Sequence, residues 1–138
     1  MPEGRAIGSA VIMVVGEIIS AWWPPEHEPH QPCEGTTSAI STLYNVRIRE
    51  RTVLPGLPAP HDHTGKGQNG NMLYILGGRL QGHWNVVDTV FEYNLHSYYW
   101  STDFASMLTS CTRCVSTTIR LKMFIAGDEG DPDTYTNV

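Results

Sequence analysis

The sequence has little that could cross a bilayer, hold itself together covalently or carry out a familiar reaction. No window approaches the roughly 18 consecutive apolar residues that mark a membrane-spanning helix. The greasiest stretch, residues 6–23, is interrupted by Glu17, and Arg5 is the only cation before it. A weak positive start and no small-residue cleavage site make it a poor secretory leader. No Asn-x-Ser/Thr sequon occurs. These absences point to a cytoplasmic chain, or one lacking its natural N-terminus, rather than a secreted one. Three cysteines do not make a disulfide framework. Lys and Arg number 9 against 14 Asp and Glu, for a net charge of −5. Nucleic acids and anionic membranes select clustered cations, so neither is expected as a partner. The one basic cluster, RIRER at 47–51, alternates as a strand with one solvated face would.

Helical periodicity is also missing. There are no long segments of Leu, Ala, Glu and Lys. Short runs rich in Val, Ile, Tyr, Thr and Phe alternate instead with Gly, Pro, Asn and Asp, which are strand and turn signals. Strands are expected over 9–15, 39–47, 71–76, 86–93, 98–101, 114–119, 121–126 and 134–138. A further strand belongs near 62–70, although the glycines and polar residues of DHTGKGQNG weaken its signature. The segment 24–35 has four prolines in twelve residues and must be a loop.

What is present repeats. LYNV at 43–46 is echoed by EYNL at 92–95, so Tyr44 and Tyr93 are 49 residues apart; Gly77 and Gly127 are 50 apart. Self-similarity at about 50 residues is the signature of a unit that cannot cover its own apolar faces and must stack on neighbours. The markers are NMLYILGG (71–78) with Gly77 and Gly78, then VVDTVFEYN (86–94) with Tyr93, then Trp100, ASML (105–108) and Arg113. With these residues the chain resembles the kelch / galactose-oxidase-like propellers of fungi. The resemblance implies an all-β fold: two to three antiparallel four-stranded blades, with approximate units 8–60, 61–110 and 111–138. A closed propeller takes about 4–8 blades, so 138 residues cannot close a ring. Open sheet edges would then invite self-association.

Within the family pattern, glycines without Cβ atoms let strands and a ring approach closely, and Trp100 is expected to fill the space beside Gly77 and Gly78. The outer units depart from the pattern. Arg51 stands where the first unit would have its Trp, Ser20-Ala21-Trp22-Trp23 where it would have its glycines, and Gly127-Asp128 where the last unit would have two.

Candidate chemistry is sparse. Cys111 and Cys114 form a Cys-x-x-Cys, but the surrounding CVSTTIRLKMF reads as strand, and a zinc site would need a second such pair. His27, His30 and Cys33 sit in the proline-rich loop, with His61 and His63 elsewhere. Asp128, Glu129, Asp131 and Asp133 read as a solvated loop without the EF-hand pattern. No stretch matches the copper site, with its cross-linked Tyr–Cys pair, of the galactose oxidases. No metal ligand, cofactor or catalytic residue is therefore assigned. The resemblance implies instead a non-enzymatic module that binds a protein partner through its loops, 24–35, 79–86 and 127–134. Arg79, His83 and Trp84 are the expected contact residues, being types favoured at binding hot spots. The alternatives are a segment of an oxidase-like or carbohydrate-binding propeller, or a product with no function of its own.

Overall fold

A computed structural model describes residues 8–12, 17–22, 39–80 and 85–127. Among them lie ten strands and no helix. The strands form three antiparallel sheets in chain order. The first contains β1 (Gly8–Ile12), β2 (Glu17–Trp22), β3 (Ile40–Asn45) and β4 (Glu50–Leu54). The second contains β5 (Gly65–Asn69), β6 (Met72–Leu76), β7 (Val90–Asn94) and β8 (Tyr99–Ser101). The third pairs β9 (Val115–Ile119) with β10 (Lys122–Ala126). The inner strands β1, β5 and β9 follow one another as neighbours, so the sheets are arranged like successive blades. The strand expected at 134–138 lies outside the described residues.

The repeat seen in the sequence is built by the main chain. In the first sheet Asn45 Oδ1 accepts from the amides of Arg47 and Ile48, at 3.0 and 3.3 Å. In the second, Asn94 Oδ1 accepts from His96 and Ser97, at 2.8 and 3.1 Å. An asparagine amide thus folds the chain back on itself. Each turn closes with an amide bonded to the asparagine carbonyl, Arg49 to Asn45 and Tyr98 to Asn94, both at 2.8 Å. Arg49 and Tyr98 both take the left-handed φ this closure needs, 59° and 56°. The basic run at 47–51 therefore straddles a turn, and β4 begins only at Glu50. β2 was not expected from the residue pattern, and of β4 only Glu50 and Arg51 fall in the run read as a strand at 47–51.

The core lies between the first two sheets. Side chains alternate across a strand, and Leu73, Ile75, Phe91, Tyr93 and Trp100 all fall on one face of the second sheet. They pack with Leu54 and Leu57, and with the partly buried Ala39, Leu43 and Ala59 of the first unit. Tyr93 is fully buried, and its ring lies 4.8 Å from that of Trp100. Such a pair adds roughly 0.5–1.5 kcal/mol beyond the area it hides. The Trp100 indole donates to the carbonyl of Pro55, 2.9 Å away, which pins the second blade to the end of the first.

The opposite face of the second sheet turns to the third. Gly65 and Gly67 lie there, and Met123 and Ser116 fill the room they leave. The Lys66 amide donates to Ser116 Oγ at 2.9 Å, and the serine hydroxyl donates back to the Lys66 carbonyl. The glycines that weaken 62–70 as a strand signal are thus the ones its packing requires. On the far side of the third sheet, Val115, Ile119 and Phe124 are exposed, and β10 has no second neighbour among the described residues.

Candidate functional site

The two glycines stand where β6 leaves the second sheet, at the opposite end from Tyr93 and Trp100. Gly77 and Gly78 leave β6 with φ of 57° and 98°. A Cβ on Gly77 would meet the carbonyl oxygens of Cys111 and Val87 and the Met107 methyl; one on Gly78 would meet the Asp62 carbonyl and Thr64. The space beside the glycines is therefore filled by backbone, not by Trp100, which lies on Tyr93 instead. The reason is hydrogen bonding. Gly78 N donates to the Cys111 carbonyl at 2.7 Å, and Val87 N to the Gly78 carbonyl at 3.0 Å. Chains must come within bonding distance here, and only residues without a Cβ allow it.

The chain then pairs again briefly. Asp62 and Arg79 exchange backbone hydrogen bonds at 3.1 and 2.9 Å, and Arg79 bridges to Val86. Leu80 N donates to the Asn85 carbonyl at 2.9 Å. The loop expected to bind a partner is thus clamped at both stems. Arg79 itself is buried at its root. His83 and Trp84 lie outside the described residues, as do the loops 24–35 and 128–134, the acidic residues within the latter, and His27, His30 and Cys33.

Three neighbouring side chains were not singled out together from the sequence. His61 is buried, with Nδ1 3.0 Å from the Ala59 carbonyl and Nε2 3.1 Å from Thr89 Oγ1. A carbonyl only accepts, so Nδ1 carries the proton, and in the neutral ring Nε2 accepts from the Thr89 hydroxyl. The ring also stands edge-on to Phe91, 5.0 Å between centroids. Next to it the His63 Nδ1 lies 2.7 Å from Asp62 Oδ1. A carboxylate orienting an imidazole is one ingredient of acid–base catalysis. Here the main chain of both residues is engaged between strands, because the His63 carbonyl accepts from Arg113 N at 2.8 Å. Arg113 thus marks the start of the third unit through its backbone, with φ of 52° matching the 51° of His63. The 50-residue spacing of positions 61–63 and 111–113 was the signal that could have found this group.

Among the described residues no group of three or more His, Cys, Asp or Glu is arranged to hold a metal ion. They form no helix, and so none that is long and apolar enough to cross a membrane. The pair Cys111–Cys114 sits in the turn before β9 rather than in a strand, and the two sulfurs are bonded to one another. Ionisation is perturbed in the sheet itself. Burial, together with the hydrogen bond and charge of the cross-strand Glu92, pushes the Tyr74 phenol up to about 12. Burial raises Tyr93, with a smaller contribution from Tyr98, and lowers the Lys66 ammonium.

Comparison with known proteins agrees with this architecture. No family model matches the chain. Over its whole length it is 48% identical to the Kelch-like protein terF of Aspergillus terreus. The chain belongs to the kelch family of β-propellers. It spans 30% of the length of that kelch-like relative. The solved structure of YjhT superposes on 90% of the chain and 34% of its own, with a TM-score of 0.70 at 15% identity, a likeness of fold. Within this chain Tyr93 and Trp100 belong to the core between the first two sheets, and Gly77 and Gly78 admit the backbone bonds at the end of β6.

Proposed function

We propose that this kelch segment is a non-enzymatic interaction module, built of units 8–60, 61–110 and 111–138, that binds a protein partner through the loop between Arg79 and Val86. The observation that supports it is the clamped stem. Asp62, Arg79 and Val86 are bridged in succession, and Leu80 bonds to Asn85. A short loop on a fixed stem loses little freedom when it binds, so more of its contact energy appears as affinity. The four residues it carries are Gln81, Gly82, His83 and Trp84. Tryptophan at such a position supplies a large apolar contact with one polar atom to direct it. Arg79 acts at the root of the loop, where it is buried, and the contact falls to His83 and Trp84.

A photo-crosslinking residue placed at position 84 in the full chain tests this, with position 99 on exposed Tyr99 as a control. A discrete adduct from 84, absent from 99 and lost on His83→Ala, is the expected result. Equal labelling from both positions, or none from 84, overturns the reading.

A further inference from the structure

Residues 111–114 hold in the third sheet the place that 61–64 hold in the second, fifty positions earlier. His61 and Cys111 are both buried, and His63 and Arg113 share a left-handed φ. Where the second unit sets an imidazole between two hydrogen bonds, the third sets two bonded sulfurs. Both sulfurs lie against a single atom. The Gly127 carbonyl oxygen is 3.1 Å from Cys111 Sγ and 3.2 Å from Cys114 Sγ. Gly127 is the residue that follows β10. The other side of the turn is fastened by main chain: the Cys111 carbonyl accepts from Gly78, and its amide donates to Val87 at 3.2 Å. One turn is therefore anchored to the second blade and presents its sulfurs to the end of the third.

A thiol can donate a weak hydrogen bond, a disulfide sulfur cannot, and one carbonyl oxygen has lone pairs for two donors. We infer that Cys111 and Cys114 form a thiol–disulfide modification site whose state sets how firmly the end of β10 is held to the second blade. As thiols, both donate to Gly127 and clasp the strand end. As a disulfide, the state in which the structure shows them, they rest against that carbonyl without donating to it. The oxidant is a small disulfide of the glutathione class. Cys114 is half-buried whereas Cys111 is buried, so Cys114 attacks first, as the thiolate. One leaving thiolate takes the bonding pair and picks up the proton that Cys114 gave up. Cys111, as thiolate, then attacks the Cys114 sulfur and expels the second thiolate, which takes the Cys111 proton. Two protein thiols and one small disulfide become one protein disulfide and two small thiols, and reduction is the reverse.

The test uses the full 138-residue chain equilibrated in defined mixtures of reduced and oxidised glutathione. Free thiols are trapped by alkylation and mapped by peptide mass, and amide hydrogen exchange is read on the same samples. The 111–114 peptide should pass from doubly alkylated to unalkylated as the mixture becomes oxidising. Amides of 123–127 should then exchange about fivefold faster, as losing roughly one net hydrogen bond permits, while those of β6 stay unchanged. The double variant Cys111→Ser/Cys114→Ser keeps two hydroxyl donors and should exchange slowly in every mixture. Cys111→Ala/Cys114→Ala should exchange fast in every mixture. A pair locked in one state throughout, equal exchange in both states, or an alanine pair as slow as the serine pair would each overturn the inference. Protection of β6 reports whether a variant has folded; if one has not, the wild-type comparison decides alone.

Discussion

Met123 of β10 packs into the space left by Gly67 of β5. A Cβ at Gly67 would run into the Met123 thioether and approach Thr118 Oγ1 at 3.3 Å. The third blade is thereby keyed to the second by a missing side chain. Gly67→Ala should destabilise the chain by roughly 1–3 kcal/mol through overpacking. Met123→Ala should restore part of that loss in the double variant, because it removes the obstructing group. Chemical unfolding of the two single variants and the double variant measures the coupling; simple additivity would show that the contact carries no energy.

Gly70 and Gly77 share a φ of 57° and differ in everything around it. Nothing lies within 4 Å of where a Gly70 Cβ would sit, whereas Gly77 faces two carbonyl oxygens. Gly70→Ala should cost roughly 1 kcal/mol, the backbone term alone. Gly77→Ala should cost more than roughly 3 kcal/mol, since main-chain atoms cannot step aside. Equal losses in unfolding free energy would mean that the crowding at Gly77 is relieved without strain.

The raised phenol of Tyr74 makes a sign-definite statement about alkali. Its folded form holds its proton more tightly than the unfolded chain, up from the ordinary phenol value of 10.0 to about 12. The stability this contributes is present below pH 10 and is lost as pH rises through that window. Lys66 acts in the opposite sense: its lowered ammonium costs stability while charged, and this cost fades as alkali removes the proton from the unfolded chain too. Tyr74→Phe should flatten the fall in stability between about pH 10 and 12, measured by urea midpoints across that range. An unchanged slope would assign the effect elsewhere.

The far face of the third sheet predicts association. Val115 and Phe124 are 71% and 51% exposed, on a sheet whose β10 has no second neighbour among the described residues. Apolar side chains beside an unpaired strand favour pairing with another chain. The wild-type chain should show a concentration-dependent mass by light scattering, and Val115→Lys/Phe124→Lys should lower it toward the monomer. A wild-type mass that stays monomeric at every concentration contradicts this.

The readable parts of the fold were those whose cause is local. Tyr93 and Gly77 have counterparts in Tyr44 and Gly127 because successive blades meet the same steric and packing demand, and a repeat exposes such demands. β5 gave a weak signal because Gly65 and Gly67 answer to residues some fifty positions away, Ser116 and Met123. Trp100 was placed in the right blade but against the wrong neighbour; its indole needed an acceptor, and Pro55 supplied one from the preceding unit. The turn at 111–114 resembled strand because its β-branched neighbours begin one residue later, at Val115. The bridges that clamp the loop after Arg79 have no side-chain signature, being made by main-chain atoms alone.

At the blade ends the joints are amides and carbonyls: Gly78 to Cys111, Arg113 to His63, Asp62 to Arg79. A joint of this kind is indifferent to the side chain it carries, provided the glycines stay. One unit holds an imidazole at a position where the next holds a cysteine sulfur, and the backbone joints are the same in kind. The tips of the blades are therefore interchangeable sockets, and the same scaffold can be fitted with different chemistry at each of them.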